Sequence, residues 1–196
     1  MFDPLAFRNA LGSFATGVTI VTARDATGNP VGLTANSFNS VSLDPPMVLW
    51  SLSLLSGSLP IFRDAETWAV HVLAADQQAM SDRFATPGRD KFAGLSLVDG
   101  AEGAPLIEGC AARFGCRARF EYEGGDHAIF LGEVVDFDRR DAEPLIYHGG
   151  QYGRIMRAPG GADLEREGLA EDTGEGLSLT DRGSELLAAL ERVAKR

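Results

Sequence analysis

Two extended segments, residues 112–122 (ARFGCRARFEY) and 127–137 (HAIFLGEVVDF), are separated only by Glu123-Gly124-Gly125-Asp126. Four turn-forming residues between two long strands make an antiparallel hairpin, since a parallel crossover needs a dozen residues or more. A hairpin is marginal by itself, so further strands must cover it. The chain supplies them. VTIVTA (18–23) and VGLTANSF (31–38) flank the turn cluster DATGNP, MVLWSL (47–52) follows Asp44-Pro45-Pro46, WAVHVL (68–73) comes next, and a short strand is expected at 144–147. Six or seven strands with few βαβ spacings predict a mainly β chain folded as an antiparallel barrel. No GxGxxG follows a strand and no Walker-type loop is present, which argues against a classical dinucleotide-binding or P-loop domain.

Helices are expected at the edges. Asp3-Pro4 has the form of an N-cap followed by proline at the first helical position, and Phe7, Ala10, Leu11 and Phe14 share one helical face. A short helix is expected from Leu59 to Ala65, and another after Asp76 carrying Ala79, Met80 and Phe84, while 86–109 reads mostly as loop. Glycine, proline and acids dominate 159–176, as in a linker. LSLTDRGSELLAALERVAKR then regains helical periodicity, with Thr180 as cap, Leu186, Leu187, Leu190 and Val193 as an apolar stripe, and Arg192, Lys195 and Arg196 suited to the C-terminal dipole. The expected organisation is a barrel domain over 1–157, an acidic linker over 158–177 and an amphipathic helix over 178–196.

Of 196 residues, 44% are hydrophobic and 23% charged, as in a soluble globular protein. The net charge is −10, shared as −4 over 160–196 and −6 over the rest, which argues against nucleic acid held on a basic surface. Sixteen of the eighteen bases are arginine; the lysines are Lys91 and Lys195. Cys110 and Cys116 match no zinc spacing, and two ligands cannot close a structural site; they read as reduced core thiols and suit a cytoplasmic protein. No secretory signal and no membrane-spanning run is legible.

Four polar features stand out. Thr34, Asn36, Ser37, Asn39, Ser40 and Ser42 crowd a strand end and the loop after it, where small hydroxyls and amides can bond a planar heterocycle or satisfy their own turn. Ser51, Ser53, Ser56 and Ser58 precede a helix start, a setting for an anion or an ordinary cap. Arg89-Asp90-Lys91-Phe92 offers a cation beside an aromatic ring, or a surface charge run. Gly125-Asp126-His127 puts a histidine at a strand start; His71, inside an apolar strand, reads as structural, and His148 lies among glycines. No Ser/His/Asp set, carboxylate pair or metal cluster is legible, so these features alone suggest a ligand-binding barrel and no particular reaction.

In order, FATGVTIVTA, GLTANSFNSVSLDPPMVLWSL, DKFAG, GDHAIFLGEV and PLIYHGGQYG resemble the short-chain flavin reductases, the reductase components of two-component flavin monooxygenases. The resemblance spans about residues 4–155. It implies an antiparallel FMN-binding split β-barrel with peripheral helices, acting as a homodimer. It places Thr34, Ala35, Asn36 and Ser37, with Ser40, along the flavin ring and ribityl chain. Ser51, Leu52 and Ser53 would line the flavin, with Ser56 and Ser58 nearer the phosphate. Lys91 and Phe92 would close over the phosphate side, and His127, with Tyr152, would stand beside the nicotinamide. The implied activity is hydride transfer from NADH (or NADPH) to FMN or FAD, with reduced flavin passed to a partner monooxygenase. The cofactor's own reactivity then removes the need for an acid–base pair. An electron-transfer flavoprotein retaining FMN and a non-catalytic flavin-binding barrel are the alternatives. LSLTDRGSELLAALE resembles the closing helix of MarR-type winged-helix regulators, where LT-x-x-G precedes an amphipathic helix, although the tail is too short for a whole winged helix.

Overall fold

The computed structural model describes residues 2–88, 90–156, 165–174 and 176–194. The expectations at Arg89, Lys195 and Arg196, and for the linker over 158–164 and at Glu175, lie outside the described residues. The chain divides into two compact units, Met1–Ile155 and Met156–Arg196.

The first unit opens with helix α1 (Pro4–Gly12), capped as expected by the Asp3 carboxylate, which accepts from the Leu5 N–H at 3.1 Å. Strands β1 (Thr16–Gly17), β2 (Thr19–Arg24), β3 (Pro30–Ala35), β4 (Asn39–Leu43) and β5 (Pro46–Ser53) follow. Then come helix α2 (Leu59–Asp64), β6 (Thr67–Val72), helix α3 (Gln78–Ala85), β7 (Leu97–Asp99), β8 (Pro105–Ile107), β9 (Ala112–Gly124), β10 (His127–Arg139), β11 (Ile146–His148) and β12 (Gln151–Gly153). Seven of the strands form one antiparallel sheet in the order β3-β2-β6-β9-β10-β5-β4. Its two edges, β3 and β4, are consecutive in the chain. A side-chain clip joins the turn between them to β5: Ser37 Oγ donates to the Ser51 carbonyl at 3.0 Å and accepts from the Ser51 N–H at 2.9 Å.

β-branched and aromatic residues alternate inward and build the core. In β5 the pattern buries Val48, Trp50 and Leu52. Trp50 stacks on Phe130 with centroids 4.8 Å apart and meets Phe62 and Trp68 edge-on. The β9–β10 hairpin slips register at Leu131/Gly132, where a Cβ would drive into the Trp68 ring and close to 3.1 Å on the Arg117 carbonyl. Glycine is thus required there for the tryptophan to lie flat against the sheet. His71 is structural, as read: it is fully buried, its Nδ1 lies 3.0 Å from the Ile20 carbonyl, and its Nε2 accepts from the Ile107 N–H at 3.0 Å. Those bonds fix a neutral ring, and burial lowers its pKa to about 4. Cys110 and Cys116 are buried free thiols whose pKa values burial raises to about 11 and about 12.

Three local outcomes differ from expectation. The loop over 86–109 contains the β7–β8 hairpin, β4 forms where a turn cluster was read, and α1 buries none of its residues. The amphipathic stripe of α1 is real, but Leu5, Phe7 and Leu11, with nearby Phe14, are all exposed.

The second unit has strands β13 (Ala170–Asp172) and β14 (Leu177–Leu179), paired antiparallel, and helix α4 (Asp181–Ala194). β13 lies within the stretch expected as linker. Thr180 caps α4: its Oγ1 accepts from the Gly183 N–H at 3.2 Å and donates to the Gly168 carbonyl at 2.8 Å. A Cβ at Gly183 would strike the Leu169 carbonyl. Among the described residues no helix is long and apolar enough to cross a membrane.

Candidate functional site

β3, the end of β5, the loop after it, α3 and the loop after α3 enclose a cleft of about 640 Å³. That is within the size range of small-molecule sites. Six of the residues expected at a flavin line it: Thr34, Leu52, Ser56, Ser58, Lys91 and Phe92. They come from three separate parts of the chain, which the fold alone brings together.

The walls are cross-tied. Thr34 Oγ1 donates to the Ser81 carbonyl of α3 at 2.6 Å. The Lys91 ammonium donates to the Phe84 carbonyl at 2.7 Å and to the Gly32 carbonyl at 3.1 Å. Carbonyls hold it without a carboxylate among these partners, and burial lowers its pKa. An ammonium has three N–H donors, so one remains for an anion in the cleft. Phe92 meets Phe84 edge-on at 5.0 Å, and both rings press on Gly32, where a Cβ would come within 2.8 Å of Phe84 and 3.1 Å of Phe92. The serines fold their own loop: Ser53 Oγ accepts from the Leu55 N–H at 3.2 Å and Ser56 Oγ from the Ser58 N–H at 3.3 Å. A hydroxyl that accepts in this way keeps its O–H free to donate.

The remaining expected residues stand apart from this cleft. Asn36 lines a second hollow, about 650 Å³, with Arg8, Phe14, Thr16, Tyr147 and His148. The Ala35 carbonyl accepts from Thr19 Oγ1 at 2.7 Å. Ser37 is the clip on Ser51, and Ser40 sits on β4 opposite Val48. His127 begins β10 opposite Ser53; its Nδ1 is 2.7 Å from the Asp126 carboxylate, and the side chain is 43% exposed. The imidazole holds the Asp126 pKa below the usual carboxylate range. Tyr152 bonds to α3 through Ser81 and Asp82. Its pKa is raised, chiefly by burial. Sequence reasoning passed over Ser81 and Gly32. Gly32 heads the GLTANSF run, but a lone serine inside an amphipathic helix carries no signal.

A larger hollow of about 1020 Å³ lies between the β2–β3 turn and the end of α2. It contains none of the expected residues, and three of the charged groups on its wall are held in ion pairs: Arg24 with Asp99, and Glu102 with Arg117.

Residues 11–156 match the family described as flavin reductase like domain. The chain belongs to that family. It is 50% identical over 152 residues to the FMN reductase (NADH) SmoA of Agrobacterium fabrum, covering 78% of this chain and 86% of that protein. It is 43% identical over 145 residues to the reductase component of a flavin-dependent trigonelline monooxygenase from Acinetobacter baylyi, covering 74% of this chain and 47% of that protein. Among solved structures, the NADH:FAD oxidoreductase SgcE6 of Streptomyces globisporus, in complex with NAD and FAD fragments, superposes with a TM-score of 0.76 at 39% identity, covering 82% of this chain and 99% of that one. In this flavin reductase, then, the mainly β antiparallel fold and the likeness to known family members agree.

Proposed function

We propose that the protein is an NADH-dependent flavin reductase that transfers hydride to FMN or FAD and supplies the reduced flavin to a separate monooxygenase. The observation that carries this reading is the convergence of Thr34, Ser56, Ser58, Lys91 and Phe92 on one cleft with a carbonyl-held ammonium in its wall. These residues fit a flavin phosphate and its apolar ring. Lys91 and the serine O–H groups offer donors to the phosphate, Leu52 and Phe92 offer apolar surface, and glycine at position 32 leaves room for the Phe84 and Phe92 rings against the strand. A bound flavin supplies the hydride acceptor. The chain's part is to hold the ring so that a nicotinamide can stack on it at about 3–3.5 Å, and to release it afterwards. Hydrogen bonds in a half-open cleft suit release better than burial would.

His127, next to Ser53 on the neighbouring strand, is the group assigned to the nicotinamide. Its Asp126 partner fixes the ring orientation. Replacing His127 by alanine is expected to slow NADH oxidation while flavin binding persists, and unchanged stopped-flow kinetics would remove it from the site. The exposed apolar residues of α1, together with Leu43 and Val41 of β4, support a homodimer, since a monomer seldom leaves so much apolar surface open. A sedimentation mass of one chain would exclude it. The two buried thiols support a cytoplasmic setting.

The deciding experiment is NADH oxidation with and without added flavin, run with FMN, FAD, NADH and NADPH. Turnover that rises with added flavin supports the reductase. A protein that keeps its FMN and ignores added flavin is an electron carrier, and the lack of any NADH oxidation leaves only a flavin-binding barrel.

A further inference from the structure

Tyr152 lines neither the cleft nor the Asn36 hollow. Its hydroxyl donates to Asp82 Oδ1 at 2.9 Å and lies 2.9 Å from Ser81 Oγ. Ser81 is fully buried, so the phenol meets a hydroxyl with no access to water. Both partners belong to α3, and α3 is where the walls of the cleft are tied. The Ser81 carbonyl takes the Thr34 hydroxyl, and the Phe84 carbonyl takes the Lys91 ammonium. Between them, Arg83 reaches the loop that carries Lys91, donating to the Asp90 carbonyl at 3.1 Å and to the Ala93 carbonyl. One short segment, 81–84, thus fixes a strand on one side of the cleft and a loop on the other.

At the start of the helix, the Gln77 side chain accepts from the Ala74 N–H at 2.8 Å and donates to the Gly109 carbonyl at 3.2 Å, four residues before Ser81. α3 is eight residues long, and its N-cap residue, Gln77, makes no side-chain capping bond. A helix this short is not stable by itself. Phe84 anchors one end in the core, and Tyr152 bonds the Ser81–Asp82 turn. Tyr152 is itself held. It sits on β12, paired to β11 and through it to β1, and its ring meets Tyr147 edge-on at 5.4 Å.

We propose that Tyr152 is a positioning residue for flavin: by holding Ser81 and Asp82 it sets the place of α3, and so the places of Thr34 and Lys91 in the cleft. The proposal rests on the reading of the cleft as the flavin site. Loss of the phenolic hydroxyl leaves the buried Ser81 hydroxyl without this partner and lets the helix shift, which loosens both walls together.

The test is flavin affinity, read by quenching of flavin fluorescence for FMN and FAD, beside steady-state kinetics. Tyr152→Phe keeps the ring and removes one oxygen. The expected result is flavin binding weakened by about tenfold, the change that follows from one lost buried hydrogen bond of about 1.4 kcal/mol. The KM for flavin should rise with it, while kcat at saturating flavin and the KM for NADH stay within about twofold of wild type. Ser81→Ala removes the same bond from the other side and serves if Tyr152→Phe does not fold. The double variant should weaken binding by less than the product of the two single effects. Unchanged flavin affinity in both single variants overturns the proposal, as does a fall in kcat or a rise in the KM for NADH with flavin affinity intact, which would place Tyr152 against the nicotinamide. Wild-type protein that binds neither flavin overturns the reading of the cleft, and this proposal with it.

Discussion

The two units of the chain use apolar residues in opposite ways. In the first, Trp50, Trp68, Phe62, Val70 and Ile20 are at most 1% exposed, and strands distant in sequence converge on them. In the second, Leu186, Leu187 and Leu190 of α4 are each about half exposed, and the buried apolar side chains among the described residues are Leu169 and Ala170. What fixes the second unit is largely polar and local: the Thr180 cap, the Asp172 turn bond to the Gly174 N–H, and the β13–β14 pair. Long-range apolar packing makes a unit cooperative, whereas local bonds make one that can open piecemeal. Substitutions should therefore be felt globally in the first unit and locally in the second.

The largest effect is expected at Trp68. Truncation to alanine removes a fully buried ring that packs against Trp50 and lies over Gly132. The cost should be about 3–5 kcal/mol, read as a lower urea midpoint with a single transition for the barrel. A loss under about 1 kcal/mol would mean that the aromatic cluster does not carry the fold.

Next comes His71. Its folded pKa of about 4 lies below the ordinary value of 6.5, so between these pH values the unfolded chain takes up a proton that the folded one refuses. Stability from this group is whole above pH 6.5 and is lost as pH falls toward 4. The loss is about 3 kcal/mol, concentrated in the barrel. Urea unfolding at pH 7 and pH 4.5 measures it, and the imidazole NMR signal should hold its neutral position to below pH 5. A signal titrating near 6.5 would show a ring open to water.

How much of this was legible follows from the same contrast. The long β9–β10 hairpin and β5 announced themselves through run length and β-branched content. The cleft residues were legible through TANSF, DKF and the serine run because a resemblance joined segments that no local pattern connects. β7 and β8 were not legible, since three residues among glycines and prolines have no measurable period. Nor was the exposure of α1. Periodicity at Phe7, Ala10, Leu11 and Phe14 says that one face is apolar, and only the folded chain says whether that face is covered. Ser81 escaped because its role comes from the backbone carbonyl it presents to Thr34 and from burial under Tyr152, neither of which its residue type encodes.

A smaller effect, confined to function, is expected at Lys91. Lys91→Met keeps the stem and removes the ammonium that reaches the Gly32 and Phe84 carbonyls. Flavin affinity should fall by about tenfold, near 1.4 kcal/mol, with FMN and FAD affected alike because both carry a phosphate next to the ribityl chain. Equal affinity in the variant would remove the ammonium from the phosphate side.

The smallest effect is expected where the comparison is sharpest, in the second unit. The family match covers residues 11–156, so it ends one residue past the boundary between the units and lies almost wholly in the first. Leu187→Ala on α4 removes a side chain that is already half in water and should cost at most about 0.5 kcal/mol. A chain ending at Met156 is expected to keep the NADH oxidation rate, flavin affinity and melting temperature of the full chain within error. If flavin affinity fell in that truncation while Leu187→Ala had no effect, the polar hairpin end of the tail would be the part that matters. If both variants lowered the melting temperature of the barrel, the leucine stripe would be a covered face, and the local character assigned to the second unit would be wrong.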